Sequence, residues 1–163
     1  KSALYKHYKN KRAIFERIVA RMEEMDAARA QEYELPEGTM AEMEDAYTRA
    51  SLKQIIAFGR DQFRRWTEED FHASFRKMLT LEQYRSAEMS ALYQQYLVSG
   101  PLDYVTDLFR ALHIENPRQK AVELYAPMFL FYSMVDGAEA KSAAASMLQE
   151  HMDRLCKEWD VNK

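Results

Sequence analysis

The side chains best placed to do chemistry sit at the start of the chain. Residues 1–12 hold five basic groups (Lys1, Lys6, Lys9, Lys11 and Arg12) and no acidic one, with Ser2, Tyr5, His7 and Tyr8 interleaved. Such a mixture suits a polyanion, because Lys and Arg displace counterions from phosphates while hydroxyl and imidazole groups add hydrogen bonds to sugar-phosphate or base edges. The same composition also fits a frayed basic chain end. The net charge of -3 conceals an uneven distribution, since without those five the chain keeps 18 basic against 26 acidic residues, a balance of -8. A basic head on an acidic body would offer only the head to DNA and so enforce orientation. For most single Glu residues a solvated helix face is the plainer reading.

No constellation in the rest of the chain points to catalysis. Glu69-x-x-His72 is the one Glu-x-x-His in the sequence, whereas a di-iron carboxylate bundle needs two. Glu150, His151 and Cys156 are metal-ligand types, but His and Cys five apart on a helix do not share a face. Gly-rich phosphate loops, nucleophile elbows and paired-Cys zinc sites are missing. The expectation is a protein that is not an enzyme and carries no cofactor and no metal. The single Cys156 rules out an internal disulfide framework and fits a reducing, cytoplasmic setting. No apolar run approaches the ~20 residues that span a bilayer, so no membrane partner is expected.

The elements that must carry the head follow from composition and period. At 163 residues the chain makes one domain, or one domain and a fragment. Only four Gly and four Pro among abundant Ala, Leu, Met, Glu, Lys and Arg indicate an all-α fold. Asn10 can cap a helix over 11–31, whose stripe is Ile14, Phe15, Ile18, Val19, Met22 and Met25. Its second half is strongly charged, and Leu35-Pro36-Glu37-Gly38 ends it in a loop. Thr39 with Glu42 forms a capping-box signature that opens a helix over 39–66. One face of that helix reads Tyr47, Ser51, Gln54, Ile55, Phe58, Gln62, Trp66. Its polar members point either to a cavity with a few orienting hydrogen bonds or to a stripe edge in water.

Thr67-Glu68-Glu69-Asp70 starts a further helix through Phe71, Phe75, Met78 and Leu79. Another begins near Ser86 and is broken by Gly100-Pro101, and one more covers 102–113. Aromatic and Met residues are dense from 58 to 109, as a pocket lining or as plain core. The candidate ligand-binding residues are Phe58, Gln62, Trp66, Phe75, Met78, Tyr93, Tyr104, Tyr125 and Phe129.

Asn116-Pro117 places a cap before a Pro at the first helical position and begins a helix to 136. It is apolar nearly all round, with Pro127 inside it as a kink. A helix of that kind must be covered on both sides, so one face is expected to meet a second subunit. The last helix, 138–159, carries small residues that permit close approach. These two helices and their symmetry mates would form an isologous four-helix bundle, with Tyr125, Tyr132, Ala140, Ala144, Met147, His151 and Leu155 at the dimer interface.

Ser2, Leu4, Tyr5, His7, Tyr8, Lys9, Asn10 and Lys11, followed by an apolar helix from Ala13, resemble the second half of the helix-turn-helix of TetR-family (TetR/AcrR type) transcriptional regulators. The resemblance implies a TetR-like architecture in which residues 1–32 are the end of a DNA-binding domain with its connecting helix. Residues 33–163 would then be a helical ligand-binding and dimerisation domain. That family has two further helices upstream, and residue 1 is not Met, so a longer protein is expected. The implied partners are double-stranded DNA with a palindromic operator, a small-molecule effector and a second copy of the chain. By the same resemblance Ser2, Tyr5, His7 and Lys11 contact mainly phosphates, while Lys1, Ala3 and Lys6 lie nearer base edges. The rival reading is a helical protein-interaction module whose basic end binds acidic partners or anionic lipid.

Overall fold

The computed structural model describes residues 10–41, 43–137 and 141–159, and no strand occurs among them. Their helices are α1 (Lys11–Glu32), α2 (Glu44–Arg49), α3 (Leu52–Glu68), α4 (Asp70–Glu82), α5 (Ala87–Leu97), α6 (Ser99–Ala111), α7 (Pro117–Asp136) and α8 (Lys141–Glu158). The all-α expectation holds. Close packing joins α7 to α3, α6 and α8, joins α3 also to α4 and α8, and sets α5 between α4 and α6. Trp66, Phe75, Leu79, Leu108, Phe109, Leu124 and Met152 fill the core between them. No helix among the described residues is long and apolar enough to cross a membrane.

Local chemistry sets most of the boundaries. Asn10 accepts a hydrogen bond from the Ala13 amide at 2.9 Å and so caps α1, satisfying one of the amides a helix start leaves free. At the other end the amides of Glu34 and Leu35 donate back to the carbonyls of Gln31 and Ala30, with Glu34 left-handed at φ 55°. That is a Schellman stop, made with Glu where Gly is usual. Leu35 is buried just beyond it.

The helix expected over 39–66 is two helices. Ala50 turns extended, and the Ser51 hydroxyl accepts from the Gln54 amide while Gln54 Oε1 accepts from the Ser51 amide. This reciprocal cap starts α3 afresh, because a side chain that satisfies free amides makes a new start cheaper than continuing the old helix. Ser51 and Gln54 are therefore cap residues. The Thr39 and Glu42 signature lies partly outside the described residues. Similarly, the break expected at Gly100-Pro101 falls at Val98, and both residues sit in the first turn of α6, where Pro101 forfeits no helical bond. Gly100 is required there, since a Cβ would stand 1.9 Å from the Gln95 carbonyl oxygen.

Helix α7 starts at Pro117 as expected, but Asn116 is left-handed and its side chain makes no cap, so the preset φ of Pro117 marks the start. Inside α7, Pro127 has no amide to offer the carbonyl of Glu123. His151 of α8 supplies the missing donor, its Nε2 lying 2.8 Å from that oxygen, and Arg154 donates to its Nδ1 at 3.0 Å. His151, expected between subunits, is thus engaged within the chain. So are four others from the same set, because Tyr125, Tyr132, Ala144 and Leu155 are buried inside the protomer. Ala140 lies outside the described residues. Of the described members of the set only Met147 is exposed, at 47%, and the exposed apolar side chains of α7 are Val122, Ala126 and Leu130, beside polar Arg118, Gln119 and Ser133.

Candidate functional site

A cavity of about 560 Å³ lies between α1, α3, α5, α6 and α7, within the range of small-molecule sites. Each wall owes its place to a helix face already fixed by packing. Helix α3 contributes Ile55, Phe58, Gln62 and Trp66, spaced at three- and four-residue steps, while α6 contributes Tyr104 and Leu108 and α7 contributes Tyr125, Met128 and Tyr132. Tyr96 comes from α5, and α1 closes the remaining side with Glu23, Asp26, Ala27 and Ala30.

Five of the residues expected to bind a ligand line this cavity: Phe58, Gln62, Trp66, Tyr104 and Tyr125. The other four, Phe75, Met78, Tyr93 and Phe129, are not in its lining. Phe75 stands behind the wall, edge-on to Trp66 and Tyr96 with centroids 6.2 and 5.0 Å away. Met78, Tyr93 and Phe129 pack half-buried against the core.

The polar content of the wall is unusual. Asp26 Oδ1, Gln62 Oε1, Trp66 Nε1 and the Tyr96 hydroxyl are all buried without a hydrogen-bond partner, and all four residues line the cavity. Folded proteins leave few such atoms. Two other wall tyrosines are satisfied, Tyr104 by the Pro36 carbonyl and Tyr125 by that of Leu97, each at 2.8 Å. Burial pushes the Asp26 carboxyl up to about 6, with Arg65 opposing it. Arg65 makes its hydrogen bonds elsewhere, Nη2 donating to His72 Nε2 at 2.8 Å and Nε to Glu69 at 3.5 Å, and its Nη1 is covered without a partner.

Asp26 was missed by the sequence reading because it sits in the charged half of α1. Its place was nevertheless signalled by spacing: Met22 and Ala30, four residues to either side, are both buried, so Asp26 lies on the inward stripe. Glu69 and His72, the one Glu-x-x-His, form a closed cluster with Arg65. His72 Nδ1 is 3.1 Å from Glu69 Oε2 but out of line for a hydrogen bond, and burial, reinforced by Arg65, lowers the His72 pKa.

Behind the cavity, Arg76 ties two of its walls together. Its guanidinium donates to the carbonyls of Trp66 and Tyr132 and to both oxygens of Asp136. It is 3% exposed, so these bonds satisfy a charge withdrawn from water.

At the far end of α1, Lys11 is exposed at the first helical position, where free amides and the helix dipole also favour a phosphate. Arg12 is engaged with the body, its two terminal nitrogens each 2.6 Å from a carboxylate oxygen of Glu88 on α5. Of the residues expected to bind DNA, Lys1, Ser2, Ala3, Tyr5, Lys6 and His7 lie outside the described residues. No family model, no curated protein and no solved structure matches the chain.

Proposed function

We propose that the chain acts as a TetR-like, one-component transcriptional regulator: a homodimeric repressor, released from a palindromic operator by a small molecule bound in the cavity. The observation that carries this reading is the course of α1. One helix runs from Lys11, at the end of the basic stretch, to Asp26 and Ala30 in the cavity wall. A ligand that favours a different tilt of α1 therefore changes the separation of two heads set to enter major grooves about 34–36 Å apart. Linkage requires that the ligand bind that state more tightly. The Arg12 and Glu88 pair adds a second route, because Tyr96 on the same α5 faces the cavity. For dimerisation, outward Val122, Leu130 and Met147 give α7 and α8 apolar surface for the four-helix bundle.

The test is a gel-shift titration of the full-length dimer against the DNA upstream of its own gene. Sequence-selective binding at low salt is expected. Lys11→Ala should weaken operator and random DNA alike and lower the logarithmic salt slope by about one unit per subunit. A purified dimer that ignores that DNA at low salt would favour the protein-interaction reading, and an unchanged salt slope would remove Lys11 from the DNA contacts.

A further inference from the structure

We infer that the cavity takes an organic cation with an aromatic or planar body and at least one N–H, and that Asp26 is its counter-charge. The inference rests on the proposed function only in treating the cavity as a ligand site. Every charged residue in the lining is acidic, namely Glu23, Asp26 and Glu37. An anion would enter against that field, and a purely apolar molecule would leave the wall's unpaired polar atoms as they are. Among the described residues Asp26 has neither a hydrogen-bond nor an ion-pair partner, and although the residue is only partly buried its Oδ1 is fully covered. A carboxylate with one oxygen covered and unpaired is costly, so the fold holds in its wall a charge that a cation would complete.

The remaining features specify the rest of the ligand. Gln62 Oε1 is a second unpaired acceptor in the same wall, suited to another N–H on the ligand's charged end. Trp66 and Tyr96, in the same wall, stand with centroids 6.4 Å apart, tilted by 34°, and aromatic rings of this kind attract cations. Their unpaired indole N–H and hydroxyl would serve an acceptor on the ligand body, such as an ether or carbonyl oxygen. Arg65, the cation whose field reaches Asp26, is held by His72 and Glu69 instead.

Calorimetric titration at about pH 8, where amines and carboxyls are both ionised, tests this without DNA. Its failure is thus distinct from failure of the regulatory reading. The probes are two shape-matched sets: para-phenylbenzylamine with the corresponding alcohol and carboxylate, and naphthylmethylamine with its alcohol and carboxylate. At least one amine should bind the protein ten-fold or more tighter than its neutral and anionic partners. That preference should vanish in Asp26→Asn and change less than three-fold in Glu115→Gln, an exposed carboxylate outside the lining, with the helical circular dichroism of both variants unchanged. Absence of binding by both amines, equal or tighter binding of an alcohol or carboxylate, or a preference that survives Asp26→Asn would each overturn the inference.

Discussion

At its C-terminal end α1 is held by a charge pair withdrawn from water, and at its N-terminal end by one that stands in it. Arg29 donates through Nε to Asp61 on α3 at 2.5 Å, and the two side chains are only 19% and 10% exposed. Burial alone would raise the Asp61 pKa, but hydrogen bonds from Arg29 and Arg64 outweigh it and hold the group below its ordinary value. The Schellman stop and buried Leu35 complete this anchor. At the other end Arg12 and Glu88 are 55% and 46% exposed, so salt and water compete with their attraction. The difference makes α1 a lever. Its fulcrum is beside the cavity, and Lys11 lies about 18 Å along the helix from Glu23.

Three changes would break or sharpen that contrast. Removing the anchor should matter most, because Asp61→Ala takes the covered partner from a largely buried Arg29 and leaves it only the exposed Glu32. A loss of about 2–3 kcal/mol in urea unfolding is expected, whereas a loss below about 0.5 kcal/mol would mean that the C-terminal end is not anchored.

Next is Asp26→Asn, which should stabilise the unliganded protein. A carboxyl whose folded pKa is raised contributes most to stability below its unfolded value, and that contribution is lost as pH rises through the folded value of about 6. The variant's advantage should therefore be under about 1 kcal/mol at pH 4 and reach about 2 kcal/mol above pH 6. Arg65, Tyr96 and Tyr132 are the groups coupled to Asp26, and burial raises both tyrosines, so neither of these two titrates between those limits. An advantage independent of pH would contradict a buried, unpaired charge.

The smallest effect on stability is expected from Glu88→Ala, which cuts only the exposed tether. Its unfolding midpoint should match the wild type while the ligand's effect on DNA affinity changes. A variant with unaltered coupling would leave α5 out of the route.

What the sequence made legible was whatever depends on a few neighbouring residues. The Asn10 cap, the start at Pro117 and the α3 stripe that puts Phe58, Gln62 and Trp66 on one cavity wall all follow from local spacing. Ser51 and Gln54 were harder, because a Ser-x-x-Gln step fits a continuing helical face as well as a new capping box. Helix α7 gave no contrast between inside and outside, since apolar residues surround it. Contacts with α3, α6 and α8 turn Tyr125 and Tyr132 inward and leave Leu130 58% exposed. His151 could not be assigned from its own helix, because its partner is a carbonyl freed by a proline on another. Asp26 looked like one charge among several in a solvated half-helix until Met22 and Ala30 fixed the face.

If cavity occupancy is transmitted along α1 to the proposed DNA contacts, the two binding equilibria must be linked. The affinity of the full-length dimer for its upstream DNA would be measured with and without a saturating amine probe, and the probe's affinity with and without that DNA. Each is expected to weaken the other by the same factor, about 5–150-fold. A probe that fills the cavity, competes with no DNA contact and leaves DNA affinity unchanged would contradict it.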